Sequence, residues 1–170
     1  MTQIQKILGI IGWKNSGKTT LTEKLVATLV ARGYRISTVK HAHHAFDIDQ
    51  EGRDSWRHRK AGASEVAIVS SKRWAIIHEL NEQQEPPLAD VLAKLAPCDL
   101  VIVEGYKHEG HRKIEVRRKD AKDDAPLAPG DPSIIAIATD QTIAVGALPT
   151  FQLDEIEKIA DFVIQKCLTF

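Results

Sequence analysis

A chain of 170 residues is the size of one α/β domain and long enough to bury a single substantial core. Its 43% hydrophobic and 27% charged residues are ordinary for a globular protein, and 23 Lys+Arg balance 23 Asp+Glu. That balance gives no whole-molecule field for nucleic acid or an anionic membrane, and no apolar run approaches the ~18 residues of a membrane span.

Ile7–Ile11 is a short apolar run ending at Gly12, the pattern of a central parallel strand covered on both faces. From Thr19, the residues Leu21, Leu25, Val26, Leu29 and Val30 recur at helical spacing, and Gly33 is placed to stop the helix. Arg35–Lys40 reads as the next strand, which completes a βαβ unit with a right-handed crossover. His41–Asp54 is polar and aperiodic, a loop of functional length. "SWRHRKAGA" reads as a short helix capped by Asp54 or Ser55, and Glu65–Leu80 as two strands about Ser70-Ser71. A helix starts at Pro86 and leads to the buried strand Asp99–Glu104. "RKIEVRRK" alternates, which predicts an exposed or edge strand, and Asp120–Pro132 reads as a charged, mobile loop. "SIIAIATD" and "TIAVGAL" are late strands. The amphipathic stretch 154–168 closes the chain, with Ile156, Ile159, Phe162, Val163 and Cys167 on one face.

The alternation predicts one domain over residues 1–170. Its fold class is α/β, a doubly wound and mostly parallel sheet with helices on both faces and some added antiparallel strands, and the G-x-x-x-x-G-K-T run at Gly12–Thr19 makes it P-loop NTPase-like. The N-terminus lacks the apolar core and cleavage site of a signal peptide. Cys98 and Cys167 lie beside apolar neighbours and form no C-x-x-C pair, so they read as reduced, buried thiols. A cytoplasmic location is expected.

Between the first strand and first helix, "GWKNSGKT" (Gly12–Thr19) fits G-x-x-x-x-G-K-[ST]. A strand before it and a helix after it are the context that a phosphate loop requires. Backbone N–H groups from Asn15 through Ser16, Gly17 and Thr19 to Thr20 can converge on phosphate oxygens at the positive end of the helix. Gly12 and Gly17 permit the turn and the close approach. Lys18 reaches the outer phosphates, and the Thr19 hydroxyl is a ligand for Mg²⁺. Such a loop also needs an acid at a neighbouring strand end. Glu104 stands at the tip of its strand, either as a metal-side group or as a plain strand-end carboxylate. Asp47 and Asp49 are further candidates for holding Mg²⁺ through water, and Asp99 lies at the wrong end of its strand.

"GWKNSGKTTL", "TVKHAHHAFDIDQEGRDSWRHRKAGA" and "DLVIVEGYKHE" together resemble the molybdopterin-guanine dinucleotide biosynthesis adapter family. The resemblance runs to Glu109 and weakens afterwards. It implies a homodimeric GTP-binding protein with weak GTP hydrolysis, associated with the molybdenum cofactor guanylyltransferase that joins GMP to molybdopterin. It carries the phosphate-loop residues onto Gly12, Asn15, Ser16, Gly17, Lys18, Thr19 and Thr20, and adds Lys40, His41, Asp47, Asp49, Glu104 and Lys107. The fold is also similar to dethiobiotin synthetase, and that likeness puts Thr19, Glu104 and Asp47 or Asp49 on the metal side. No N-K-x-D guanine reader is present. Asp140, at the end of "AIATD", is either a substitute acceptor or a turn aspartate. No water-positioning Gln or His stands in a recognisable motif, and Arg53, Arg73 and Lys107 are the candidates for neutralising charge.

His41, His43 and His44 with the two aspartates form a loop that could meet a metal, molybdopterin, a partner or only solvent. Arg53, Arg57, Arg59 and Lys60 read as a wet, basic helix face. The competing functional class is an ATP-dependent small-molecule kinase or ligase of the dethiobiotin-synthetase sort. No nucleic-acid or membrane partner is expected.

Overall fold

Six parallel strands form the main sheet of the computed structural model, which describes residues 6–42, 46–121, 123, 125–142, 146 and 148–169. In chain order the elements are β1 (Ile7–Ile11), α1 (Lys18–Ala31), β2 (Ile36–Lys40), α2 (Asp54–Lys60), β3 (Glu65–Val69), β4 (Trp74–His78), α3 (Leu88–Ala93), β5 (Leu100–Glu104), β6 (Lys113–Arg117), β7 (Ile134–Thr139), β8 (Thr150–Gln152) and α4 (Ile156–Val163). The chain divides into two units, Met1–His41 with Lys94–Phe170, and Ala42–Ala93.

The first unit carries the sheet in the order β2-β5-β1-β6-β7-β8. From β1 the chain crosses over β5 to β2, and the later strands add on the other side. The order therefore switches beside β1, at the end where ligands bind in open α/β sheets. On one sheet face Leu8, Ile10, Leu100, Ile102, Ile114 and Val116 pack against Leu21, Leu25 and Leu29 of α1 and Ile159 and Val163 of α4. Each such fully buried side chain contributes about 1.5–3 kcal/mol. The predicted stop of α1 is a Schellman ending. Gly33 has φ 90°, its N–H donates to the Val30 carbonyl, and the Tyr34 N–H donates to that of Leu29.

The reading of "RKIEVRRK" as an exposed or edge strand is overturned. β6 is interior, paired with β1 and β7, and Lys113 and Glu115 are 1% and 0% exposed. The alternation does mark two faces. Ile114 and Val116 enter the apolar core, while Lys113, Glu115 and Arg117 point to the other face, where the chain's own β6–β7 crossover satisfies them. The Glu115 carboxylate accepts two bonds from Arg117, each 2.8 Å, and the N–H groups of Leu127 and Ala128 at 2.9 Å. The Lys113 ammonium donates to Asp131 at 2.9 Å, to the Ser133 hydroxyl at 2.6 Å and to the Glu109 carbonyl. Burial works against the charge on Asp131, but hydrogen bonds from Ser133 and Lys113 hold its carboxyl below the ordinary range. The crossover read as mobile is thus anchored through residues 127, 128 and 131, and turns through a 3-10 segment at Ala128–Gly130.

The closing helix is α over Ile156–Val163 and then π over Ile164–Leu168, with Ile159, Val163 and Cys167 buried as the periodicity predicts. The predicted strand "TIAVGAL" falls largely on residues outside the described ones. The short β8 that follows it was not legible in the pattern.

In the second unit β3 and β4 form the antiparallel pair expected about Ser70-Ser71, from Glu65↔His78 to Val69↔Trp74. One face of this hairpin carries Val69, Trp74 and Ile76, which are 75%, 69% and 54% exposed. α2 begins after Arg53, and its end has no side-chain cap: Asp54 is its first residue, and the Ser55 hydroxyl instead donates to Asp49 at 2.8 Å. No helix among the described residues is long and apolar enough to cross a membrane.

Candidate phosphate and nucleotide site

The turn between β1 and α1 has the backbone that its sequence asks for. Gly12, Asn15 and Gly17 have φ of 152°, 65° and 92°, and a Cβ at Gly12 would stand 2.4 Å from the Val116 carbonyl oxygen and 2.6 Å from the Ser16 hydroxyl. The Ser16 Oγ is buried with no hydrogen-bond partner among the described residues, a polar atom held inside the loop. Gly17 sits at the N-cap, so the N–H groups of Lys18, Thr19 and Thr20 open the first helical turn and have no partner inside the helix. The Lys18 ammonium donates to the Trp13 carbonyl at 2.7 Å, across the loop that would hold phosphate. Burial lowers the Lys18 pKa. Glu104 opposes that shift, and the neighbouring Lys107 and Lys40 add to it.

β5 delivers Glu104 to this loop. Its carboxylate accepts the Thr19 hydroxyl at 3.0 Å and faces the Lys40 ammonium at 3.7 Å. A hydroxyl and a carboxylate oxygen side by side are hard donors, the set that Mg²⁺ takes together with phosphate and water. The residues fit the ion, and Thr19 and Glu104 are the ones that would hold it. Asp99, at the other end of β5, accepts the Arg35 N–H at 2.7 Å, as its place in the strand predicts.

Beyond Glu104 the chain reverses through Gly105 and Tyr106, with φ of 99° and 51°. A left-handed tyrosine is uncommon and marks a constrained turn. A Cβ at Gly105 would lie 2.9 Å from that of His41, whose ring stacks on Tyr106 with centroids 4.5 Å apart. This turn sets the Lys107 ammonium 3.9 Å above the Trp13 ring, while the Trp13 indole N–H donates to the Ala125 carbonyl at 2.7 Å. Lys40 and Lys107 thus stand close enough to act on Lys18 against the single carboxylate of Glu104, an excess of positive charge suited to a polyphosphate.

Asp140 follows β7 and accepts the Lys119 N–H at 2.9 Å, with the Arg118 guanidinium 3.5 Å from its other oxygen. In the second unit Asp47 and Asp49 are engaged by Arg59, at 2.8 Å and 3.4 Å, and Arg59 also pairs with Glu79 at 2.6 Å. Hydrogen bonds to Glu79 and Asp47 raise the Arg59 pKa, and the Asp49 N–H and then Arg59 hold the Asp47 carboxyl low. Arg59 is therefore a nearly buried hub, its side chain 12% exposed, where the sequence suggested a wet face. Of the other cations named from sequence, Arg53 bonds the Gln50 side chain, and the Arg73 N–H caps the hairpin turn on Ser70. His43 and His44 lie outside the described residues. The roles of Trp13 and Arg118 were missed: an aromatic inside a Gly-rich loop and an arginine in a mixed-charge run carry no periodic signal.

The sequence profile of the family described as "MobB: Molybdopterin guanine dinucleotide synthesis protein B" matches residues 7–140. The chain belongs to the MobB family. A Haemophilus influenzae protein described as a molybdopterin-guanine dinucleotide biosynthesis adapter protein is 40% identical over 160 residues, 92% of this chain and 86% of that one. An Escherichia coli protein of the same description is 35% identical over 161 residues, 94% of this chain and 91% of its own. The crystal structure of a MobB homologue from Bacillus stearothermophilus matches with a TM-score of 0.69 at 29% identity, covering 94% of this chain and 96% of that one. The mostly parallel, P-loop NTPase-like sheet expected from the sequence is thus the MobB fold, and the separate β3–β4 pair supplies the added antiparallel strands.

Proposed function

We propose that this MobB-family chain binds GTP with Mg²⁺ and acts as the adapter through which a molybdenum cofactor guanylyltransferase attaches GMP to molybdopterin. The observation that carries the nucleotide part is the Thr19–Glu104 pair on a phosphate loop ringed by Lys18, Lys40 and Lys107. The printed description of the two relatives, at 40% and 35% identity, supports the adapter part. Bound Mg²⁺ would neutralise phosphate charge. Thr19 and Glu104 orient it, Lys18 holds the outer phosphates, and the N–H groups of the first turn take the remaining oxygens. An arginine finger typically adds ~10³–10⁵-fold to hydrolysis, and Arg118, whose stem reaches Gly17, is held 3.5 Å from the Asp140 carboxylate, so slow GTP turnover by the isolated protein is expected. Adding the protein with GTP to a guanylyltransferase charged with molybdopterin tests the reading. Faster GMP transfer is expected, and a rate unchanged by the protein would contradict it.

Glu104→Gln keeps the size of the side chain and removes its charge. The Mg²⁺ concentration needed for half-maximal GTP binding should rise roughly 10- to 100-fold, measured by titrating Mg²⁺ against a fluorescent GTP analogue.

The protein is further proposed to be a cytoplasmic homodimer. Val69, Trp74 and Ile76 give the hairpin an apolar face of the kind that a second copy covers. Trp74→Lys should shift the molar mass in light scattering from dimer to monomer with GTP binding retained; a dimer that survives would clear the hairpin of this role.

A further inference from the structure

A cleft of about 340 Å³ opens beside the start of α1 and shares Gly17 and Thr20 with the phosphate loop. Its far wall is built from three strand ends: Arg118 after β6, Asp140 after β7, and Gln152, Leu153 and Asp154 at β8. We propose that this cleft takes the base of the nucleotide, and that Asp154 reads a 6-oxopurine through its N1–H and 2-amino groups beneath the Arg118 side chain. The inference rests on the GTP reading above and assigns its base subsite.

The two carboxylates of the cleft are not equivalent. Asp140 is already committed to the Lys119 N–H at 2.9 Å and to Arg118 at 3.5 Å. It acts as a positioning residue that holds the Arg118–Lys119 segment over the loop. The stem of Arg118 reaches the phosphate loop, since a Cβ on Gly17 would meet its Cδ at 3.8 Å. A planar guanidinium held there can lie on the flat face of a purine. Asp154, by contrast, has no side-chain hydrogen bond or ion pair among the described residues. Its backbone is fixed nonetheless. The Leu153 N–H donates to the Thr139 carbonyl at 3.1 Å, and the Gln152–Glu155 turn is closed by Glu155 N–H to the Gln152 carbonyl at 3.1 Å and Gln152 N–H to the Glu155 carboxylate at 2.9 Å. A free acceptor on a rigid tip is preorganised for a ligand donor.

The chemistry selects the base class. A carboxylate accepts two parallel N–H bonds from guanine, one from N1 and one from the 2-amino group. Adenine offers a lone pair at N1 and a C–H at position 2, which leaves the carboxylate desolvated and unpaired. Discrimination arises as much from that penalty as from the attraction to guanine.

The test uses the full chain with Mg²⁺ and non-hydrolysable triphosphates of guanosine, inosine, xanthosine and adenosine, read by calorimetric titration. The wild type should bind the guanosine analogue roughly 10-fold tighter than the inosine analogue, which lacks one of the two N–H donors. Asp154→Asn should weaken guanosine binding by roughly 10- to 100-fold and shift the preference to xanthosine, whose 2-oxo group meets the new amide N–H. An unchanged guanosine-to-xanthosine ratio in a folded Asp154→Asn protein overturns the assignment and leaves GTP binding standing. Should the variant not fold, equal affinities of the wild type for guanosine and inosine analogues overturn it alone. Absence of any triphosphate binding by the wild type removes the GTP reading and this inference together.

Discussion

Lys18→Ala should weaken Mg²⁺–GTP binding by roughly 100-fold or more, since charge-assisted bonds to two phosphates contribute about 1.5–3 kcal/mol each. The same change should not destabilise the ligand-free protein. In its absence from nucleotide, Lys18 has its pKa lowered chiefly by burial, with Glu104 alone opposing and Lys107 and Lys40 adding to the shift. A lysine whose pKa falls on folding costs stability in full below that folded pKa, because the charged form is the disfavoured one; the cost fades as pH rises from the folded pKa towards the ordinary 10.5 and is gone above it. Removing the ammonium removes the cost, so thermal unfolding of Lys18→Ala at neutral pH should match or slightly exceed the wild type. Phosphate reverses the balance by supplying the missing counter-charge. GTP affinity should therefore fall in alkaline buffer earlier than an ordinary lysine would dictate, and that pH dependence should vanish in the variant. Unimpaired GTP binding by Lys18→Ala would contradict the phosphate assignment.

Glu115→Ala should be the most destabilising single change on the sheet, by about 3–5 kcal/mol. The carboxylate is fully buried and satisfies four donors, two from Arg117 and the backbone N–H groups of Leu127 and Ala128. Its loss leaves a guanidinium that is 13% exposed without its partner, and orphans two N–H groups in the crossover. Glu115→Gln keeps the shape and one strong acceptor, so it should cost clearly less. Urea unfolding of the two variants measures the difference; a loss below about 1 kcal/mol for Glu115→Ala would show that the crossover finds other partners. The binding site should feel the change too. The same crossover carries Ala125, which accepts the indole N–H of Trp13 in the phosphate loop.

The glycine turn from Gly12 to Gly17 and the place of Glu104 at its strand tip were legible in the sequence because their signals are local. A glycine pattern between a strand and a helix has few other uses, and an acid just past a four-residue apolar run must stand at a strand tip. β6 was misread for a physical reason. Alternation reports that the two faces of a strand differ, and it does not say whether water or a polar crossover covers the second. Lys113 and Glu115 look solvated in one dimension and are buried in three. Arg59 was misread in the same way, since four basic residues on a short helix do not reveal which one faces three carboxylates. Arg118 and Asp154 were beyond reach of pattern because their meeting depends on strand order. β6, β7 and β8 end side by side only once the sheet is assembled.

The central claim is that the loop from Gly12 to Thr20 holds the phosphates of GTP. Calorimetric titration of the full chain with a non-hydrolysable GTP analogue, with and without Mg²⁺, tests it most directly. One saturable site in the micromolar range is expected, dependent on Mg²⁺ and tighter for the GTP analogue than for the ATP one. No heat of binding with Mg²⁺ present, or equal binding by Lys18→Ala, would contradict it.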